Sequence, residues 1–493
     1  MNKILKWLLI IAGVLLLVLF LLFLFARFYI GVNTPLGDGE LNTSRLDSQI
    51  QLPDGFSMGV YAKDIPNARV IRFSHRGDLL VANPSLGQVV ILGRDKNDDH
   101  KADSKSVLID GLNGPNGLDF FDGWLYIAET DAIGRIRFDH PTGETRGEYQ
   151  RIVENLPAGG NHWKKTLRFG PDKLMYVSMG SSCNVCIEAD ERRAAMVRYQ
   201  PDGSGEEIYA SGMRNSAGFD FSPVDGKIYA TDNGRDLLGD DFPPCELNMI
   251  EEGNHYGWPF ANGDKIPDPD FGEGNEAIIE SSIAPVFGFK AHNAPLGIEF
   301  VRGDSFPPAY RGAAIVALHG SWNRRDKDGY KVVSLHWNAD GEVSEKDFVS
   351  GFLVNDDVIG RPAEVTQGPD GAFYISDDYV GAIYRVAYGE GQGAELAVGI
   401  EKVRYDGLHT LAAYSSEDKL RLSREGEQLF AQYECASCHK EAGGELKRLD
   451  RIGEKYDIET LSRFLEKPTP PMPVFPLSEP DREALGVYLI ENL

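Results

Sequence analysis

Two cysteines and a histidine near the end of the chain, Cys435-x-x-Cys438-His439 in "ECASCHKE", have the spacing of a covalent haem site. Two thiols can add across the haem vinyl groups while the adjacent imidazole reaches the iron. Half a zinc site or a redox dithiol would use the same two cysteines, but neither needs a histidine directly after them. The sixth iron ligand should be a soft thioether further along, and Met472 in the proline-rich "PTPPMPVFP" fits. Ser478 has the type and place of an N-cap for a closing helix. Haem moves single electrons, so a source of electrons is expected elsewhere in the chain.

A second set of chemically able residues is scattered through the middle. His162 stands in "PAGGNHWKKTLRFGPD", and Arg214 and Asn215 in "SGMRNSAGFDFSP". Gly234, Arg235, Asp240, Asp241 and Glu246 fall in "TDNGRDLLGDDFPPCELNMIEEGNHYGWP". Trp322, Arg324 and Arg325 share "HGSWNRRDKDGYKVV", and Arg361 opens "GRPAEVTQGPDG". A neutral imidazole can take a proton near neutral pH. Guanidinium forks suit carboxylates. Bland readings stand beside these. A histidine ahead of a strand is usually a packing residue, an Arg-Asn pair can cap a loop, and Trp322 can fill the centre of a fold.

The elements that would position them repeat. Six stretches share a turn followed by apolar alternation: "HRGDLLVAN", "FDGWLYIAET", "GPDKLMYVSMG", "PVDGKIYATDNG", "YRGAAIVALHG" and "GPDGAFYISDD". Second alternating runs follow most of them, such as "GQVVILGRD", "GRIRFDH", "YKVVSLHW" and "GAIYRVAYG". Period-two alternation with Asp-Gly turns predicts β-hairpins. A spacing of about 45 to 60 residues predicts the blades of a propeller. The expectation is an all-β six-bladed β-propeller over residues 45–390, with loops of every blade gathered around one pocket. Unrelated β-sandwich hairpins would lack the regular spacing and the recurring "GPDG" turns.

The chain has 493 residues, too many for one core, and a formal net charge of -25. That acidity excludes nucleic acid as a partner, since nothing would neutralise phosphates. Residues 7–26, "WLLIIAGVLLLVLFLLFLFA", carry no charge. Twenty such residues as a helix span about 30 Å, a bilayer core. Lys3 and Lys6 precede the run and favour a cytoplasmic N-terminus. A cleaved signal peptide is the rival, but "RFYIGVNTP" offers no small-residue cleavage site. The expected organisation is a transmembrane anchor over 1–30, a linker over 31–44, the propeller, a second linker over 391–420, and a small all-α domain over 421–493.

Residues 421–493 resemble the small class I c-type cytochromes, on the Cys435-x-x-Cys438-His439 motif and Met472. The interval from His439 to Met472 is short for that family. Residues 50–390 resemble the glucose/sorbosone dehydrogenase family, six-bladed propellers that use pyrroloquinoline quinone (PQQ), and most closely its sorbosone- and aldose-dehydrogenase branch. The marks are a His ahead of "LRFGPD", the Arg214-Asn215 pair, "GNHYGWP" at 253–259, "HGSWNR" from His319 and "GRP" at Gly360. The resemblance implies that His162 is the general base and that Arg214 lies against the quinone oxygen that becomes negative. It implies that Asn215 bonds the same region, that Arg361 and Arg324 pair with the cofactor carboxylates, and that Trp322 covers its ring. The backbone carbonyls of Gly234 and Arg235 match the family's calcium turn. Departures are Thr166, where glucose-oxidising members have Arg, Asn161 in place of Asp, and Arg235 in place of Pro.

Two further clusters remain. Asp95, Asn97, Asp99 and Asp103 in "RDKNDDHKADS" match in part a calcium hairpin, with His100 in the place of the usual Gly; a solvated acidic turn is the equal alternative. Cys183 and Cys186 in "SSCNVCIE" lack a following His and read as a local disulfide, leaving Cys245 as the odd thiol. The sequence as a whole therefore reads as a quinohaemoprotein dehydrogenase anchored in a bacterial inner membrane and facing the periplasm. It would oxidise a sugar or related aldehyde or polyol with PQQ and calcium, and pass electrons through its own haem c to a respiratory acceptor. The alternatives are a PQQ-free propeller acting as a binding or redox-sensing module, and a calcium-dependent lactonase, which would need carboxylates and no quinone-binding arginines.

Overall fold

The alternating hairpins pair as six four-stranded antiparallel sheets, the blades of a β-propeller. The six repeated stretches supply the second strand of each blade: Leu79–Asn83, Trp124–Ala128, Met175–Met179, Ile228–Asp232, Ala314–Leu318 and Phe373–Asp377. Most of these strands are buried along their whole length, because the adjacent blades cover both faces. That is why they read as near-continuous apolar runs. The innermost strands precede them: Ile71–Phe73, Gly117–Phe121, Lys165–Phe169, Gly218–Phe221, Pro295–Phe300 and Pro362–Gln367. These are less apolar, and each sends one charged side chain inward in sequence order: Arg72, Asp119, Arg168, Asp220, Glu299 and Glu364. All but half-buried Asp119 are buried. Arg168 ties three blades by donating to Asp220 at 3.1 Å and to Glu299 at 3.4 Å. Inner strands pack backbone to backbone, so a side chain on Gly218 would meet the Leu296 carbonyl at 2.2 Å.

The structure is a computed structural model. It describes residues 3–25, 36–37, 39–389, 411, 414–433, 435, 449, 452–454, 456, 458–466, 468 and 475–492. The chain falls into two compact units, Met1–Ala397 and Val398–Leu493. The core of the first lies between blades. Tyr126, Val177 and Val197 fill one such interface, and Tyr229, Ile298 and Val316 another.

Closure of the ring comes from the far end of the chain. Phe56–Ala62 is the fourth strand of the sixth blade and pairs with Ala382–Tyr388, Phe56 standing opposite Tyr388. The Phe56 ring sits 4.8 to 5.3 Å from those of Phe306, Tyr310, Phe348 and Tyr388. Each such pair contributes about 0.5–1.5 kcal/mol beyond its buried area. In the fourth blade the third and fourth strands, Cys245–Ile250 and Phe287–Phe289, are separated by the Gly/Pro-rich insertion. It carries a short ribbon, Ala261–Asn262 with Ile266–Pro267.

Helix α1 runs Lys3–Phe25. Its side chains are described at Trp7, residues 11–22 and Phe25, and the large apolar ones among them are exposed. Counted on the described residues alone, no helix is long and apolar enough to cross a membrane. Helix α2, Thr43–Gln49, is capped by Asn42 and sets Leu46 into the core of the last two blades.

In the second unit, helices α3 (Ser416–Gln432), α4 (Ile458–Glu466) and α5 (Glu479–Asn492) share a core of Leu422, Leu461, Leu465, Leu485 and Leu489. Gly426 lets α3 and α5 touch, since a Cβ there would meet the Ala484 carbonyl at 2.2 Å. Ser478 caps α5: its Oγ accepts the Asp481 N–H at 3.3 Å, and Asp481 accepts the Ser478 N–H at 3.0 Å in return. Cys435, just past α3, is half-buried. The other expected haem residues, Cys438, His439 and Met472, lie outside the described residues.

Candidate functional site

Paired strands are antiparallel, so the loop before each innermost strand and the loop after each second strand open at the same end of the propeller. His162 lies ahead of Lys165–Phe169, and Ser181 follows the neighbouring strand Met175–Met179. His162 Nδ1 is 2.9 Å from Ser181 Oγ and 3.1 Å from the Ser181 carbonyl. The Ser181 hydroxyl donates its own proton to the Cys183 carbonyl at 2.7 Å. Both atoms facing Nδ1 therefore accept, which assigns the ring proton to Nδ1 and leaves the Nε2 lone pair free. Burial, then the positive charges of Arg214 and Arg193, lower the His162 pKa to about 3, against the Ser181 hydrogen bond that raises it. The imidazole is neutral at physiological pH.

Arg214 and Asn215 precede the next inner strand. Their backbone N–H groups both point at the Asp232 carboxylate. Asp232 is paired across the sheet with Glu246, and burial pushes both carboxyls up, with Glu246's charge adding to the effect on Asp232. Asn215 Oδ1 and His162 Cβ converge on Gly180, which has no side chain to keep them apart. The Arg214 guanidinium is buried and every donor is used. Nε donates to the Asn184 carbonyl at 2.9 Å, and Nη1 to the carbonyls of Asn233 at 3.1 Å and Gly234 at 3.0 Å. Nη2 donates to Asn184 Oδ1 at 2.9 Å and to Asp236 at 2.8 Å. So held, Arg214 offers a neighbour its charge and its flat face rather than a free N–H.

A third group surrounds Asp378. Arg69 donates to it at 2.7 Å and Arg361 at 2.8 Å, and His319 Nε2 is 3.1 Å from both its oxygens. Burial opposes the Asp378 charge, yet His319, Arg69 and Arg361 hold it well below the carboxylate range. Lys164 faces the same cluster. Burial, then Arg69, lower its pKa to about 7; Asp378 counters and Arg361 adds to the lowering. Arg69 and Arg361 thus pair with one carboxylate and Lys164 adds its charge nearby, a local positive surplus in a chain of net charge -25. Such a surplus suits a ligand carrying carboxylates. Trp322, 50% exposed, offers a bare indole face.

Several expected residues have other tasks in this arrangement. Arg324 is buried and donates to the Asp240 and Ala291 carbonyls and to Asp241. Arg325 pairs with Asp240 at 2.8 Å. Arg235 is bonded through its side chain to Asp268 and Asp270. The Gly234 carbonyl already accepts from Arg214, so a calcium ion there would sit beside a guanidinium, and the turn fits the ion only with Arg214 swung away. In the Asp95 turn, Asp95, Asn97 and Asp99 accept backbone N–H groups of the turn itself. Asp95, Asp99 and Asp103 do not converge closely enough to form an ion cage; among the described residues only Cys183, Cys186 and Glu188 cluster that tightly, and their two sulfurs are bonded to each other. Cys183 and Cys186 form a disulfide, as expected, and Cys245 is buried, its pKa pushed up to about 11 by burial.

The sequence pattern did not single out Arg69, Lys164, Gly180, Ser181, Asn184, Arg193, His319 or Asp378. All but Arg69 and Arg193 did stand inside quoted stretches, His319 in "HGSWNR" and Asp378 in "GPDGAFYISDD" among them. Thr166 turns inward to the Ala217 carbonyl, while Arg193, from the next hairpin, brings a cation to the base through the Gly180 carbonyl at 3.2 Å.

The fold and the site together define a six-bladed propeller with a neutral histidine and a cation-rich rim at one end of its axis. Residues 50–389 match the TrAA12-like family, and the chain belongs to it. An uncharacterized protein of Borreliella burgdorferi is 31% identical over 359 residues, covering 70% of this chain and 92% of that protein. The aldose sugar dehydrogenase of Escherichia coli is 26% identical over 264 residues, 49% of this chain and 64% of the relative. Among solved structures, the holo form of the PQQ domain of pyranose dehydrogenase from Coprinopsis cinerea superposes with a TM-score of 0.60 at 19% identity, covering 72% of this chain and 98% of that one. At that identity the likeness shows the shared fold.

Proposed function

We propose that the propeller is a PQQ-dependent dehydrogenase of aldose-type sugars, a reading supported by the Escherichia coli aldose sugar dehydrogenase and the Coprinopsis cinerea PQQ domain, and that the whole chain is a quinohaemoprotein anchored in the bacterial inner membrane and facing the periplasm. The observation that carries the reading is the pairing of one neutral, Nδ1-protonated histidine with a rim of surplus positive charge. When bound, PQQ supplies a two-electron acceptor and haem c a one-electron carrier to a respiratory acceptor. Arg69, Lys164 and Arg361 would hold the carboxylates, Trp322 would cover the ring, and Asn215 would bond the quinone edge. Cys435, Cys438, His439 and Met472 would hold the haem.

His162 Nε2 takes the proton of the substrate hydroxyl as the carbon-bound hydrogen leaves with its electron pair. Its low pKa keeps the lone pair available, and Ser181 keeps it aimed. Arg214 contributes fixed positive charge beside the reacting atoms at no cost of reorganisation. The test is reconstitution with PQQ, with and without calcium, followed by aldose-dependent dye reduction and bleaching or reddening of the haem band. His162→Ala should retain cofactor binding and lose turnover. Absence of turnover with every aldose or polyol tried, in protein that binds PQQ, would overturn the reading.

A further inference from the structure

Residues 181–188 lie in the connection between the second and third strands of the third blade and reach both the histidine and the arginine of the site. Ser181 accepts from His162 and passes its own proton to Cys183. Asn184, three residues on, accepts two of the Arg214 N–H groups, one with its carbonyl and one with Oδ1. Asn184 also reaches the fourth blade: Oδ1 accepts the Asp236 N–H at 2.8 Å, and Nδ2 donates to the Asp236 carbonyl at 3.1 Å. Asp236 in turn pairs with Arg214. The loop thus supplies both hydrogen bonds of the histidine ring and two of the five made by the arginine side chain.

Two features keep this loop in one shape. Its middle turn is closed by the Cys183–Cys186 disulfide. Glu188 accepts the Ser182 N–H at 2.6 Å and the Ser182 hydroxyl at 2.8 Å. Without such closure a short irregular loop samples many conformations, and ordering it costs entropy. The Cys183 carbonyl, which receives the Ser181 proton, belongs to a residue of the disulfide itself. The chain of contacts runs from the sulfur bridge through Ser181 to the histidine, and through Asn184 to the arginine.

We propose that the disulfide-closed loop is a positioning device for the site: Ser181 sets the tautomer and aim of His162, and Asn184 sets the plane of Arg214. The proposal rests on the reading of His162 as the general base. Neither Ser181 nor Asn184 handles the transferred hydrogen; each acts through its neighbour.

The test uses the full chain labelled with 15N-histidine, with His162 assigned by His162→Gln. The unaltered protein should show a single Nδ1-protonated tautomer at His162. Ser181→Ala removes the 2.9 Å hydroxyl acceptor and keeps only the 3.1 Å backbone carbonyl, so the Nε2-protonated tautomer should appear beside the Nδ1 form, and kcat should fall with KM within twofold. A Cys183→Ser/Cys186→Ser double variant should show the same two changes with the Ser181 hydroxyl still present. Ser181→Ala keeps the disulfide and decides the question whether or not the double variant folds. One unchanged tautomer together with an unchanged kcat in Ser181→Ala would overturn the proposal. A parent protein without sugar-dependent turnover would sink the functional reading instead, while the tautomer measurement would still decide the positioning role.

Discussion

Replacing Gly180 with alanine should cost the site its activity while leaving the propeller folded. Gly180 is not among the residues with positive φ, so its backbone accepts an alanine without strain. The difficulty is space: the new Cβ would lie 2.5 Å from His162 Cβ and 2.8 Å from Asn215 Oδ1. Carbon atoms rest at about 3.5–4.0 Å, so the histidine has to retreat by ~1 Å or more. Overpacking of this kind costs about 1–3 kcal/mol, which a domain stable by ~5–15 kcal/mol survives. A misplacement of ~1 Å at a reacting group costs about 10²-fold in rate. The assay is aldose-dependent dye reduction by the reconstituted protein, run beside a thermal melt. Gly59→Ala is the control, because nothing lies within 4 Å of the Cβ it would add and its φ is not positive. Full turnover in Gly180→Ala would refute the claim that His162 and Asn215 act from their present positions.

Other expectations follow from the charges. The low pKa of His162 predicts kcat/KM without an acid limb near pH 6.5, flat down to about pH 5; Arg193→Gln should move the limb upward only part of the way to 6.5, since burial is the larger cause. Lys164 is half-charged near pH 7, so cofactor affinity should weaken as pH rises through 7, and Lys164→Met should abolish that dependence in a binding titration. Asp232 and Glu246 are raised in the folded state, so the fold binds protons that the unfolded chain releases. Their contribution to stability is present below the ordinary carboxylate range of ~4 and is lost as pH rises past neutrality. Glu246→Gln should therefore flatten the loss of thermal stability between pH 5 and 8, as read by denaturation at each pH.

The propeller was legible in the sequence because its second strands carry both a turn signal and a buried apolar run. Phe373–Asp377 after "GPDG" is typical. The innermost strands were harder to read. Ile71–Phe73 spans only three residues, and Arg72 within it carries a charge that pattern reading assigns to solvent. The closing role of Phe56–Ala62 was invisible, since its partner lies more than three hundred residues away and nothing local announces it. At the site, His162, Arg214, Asn215 and Arg361 stood out through motifs. Gly180 and Ser181 did not: one matters because it lacks a side chain, the other because of a single hydrogen bond. Lys164 stood in the same stretch as His162 without a pattern of its own, and only the folded chain exposes it to the charges of Arg69, Arg361 and Asp378.

The pairing of Phe56–Ala62 with Ala382–Tyr388 sets an order of events in synthesis. The first strand to leave the ribosome has no partner until the last blade has been made, so five blades can form behind it while the sixth waits. Contacts of such long sequence separation make closure late and slow. During that interval the exposed edge of the waiting strand, with Phe56 bare, is the point at which a nascent chain of this kind is open to capture by a chaperone or by another copy of itself.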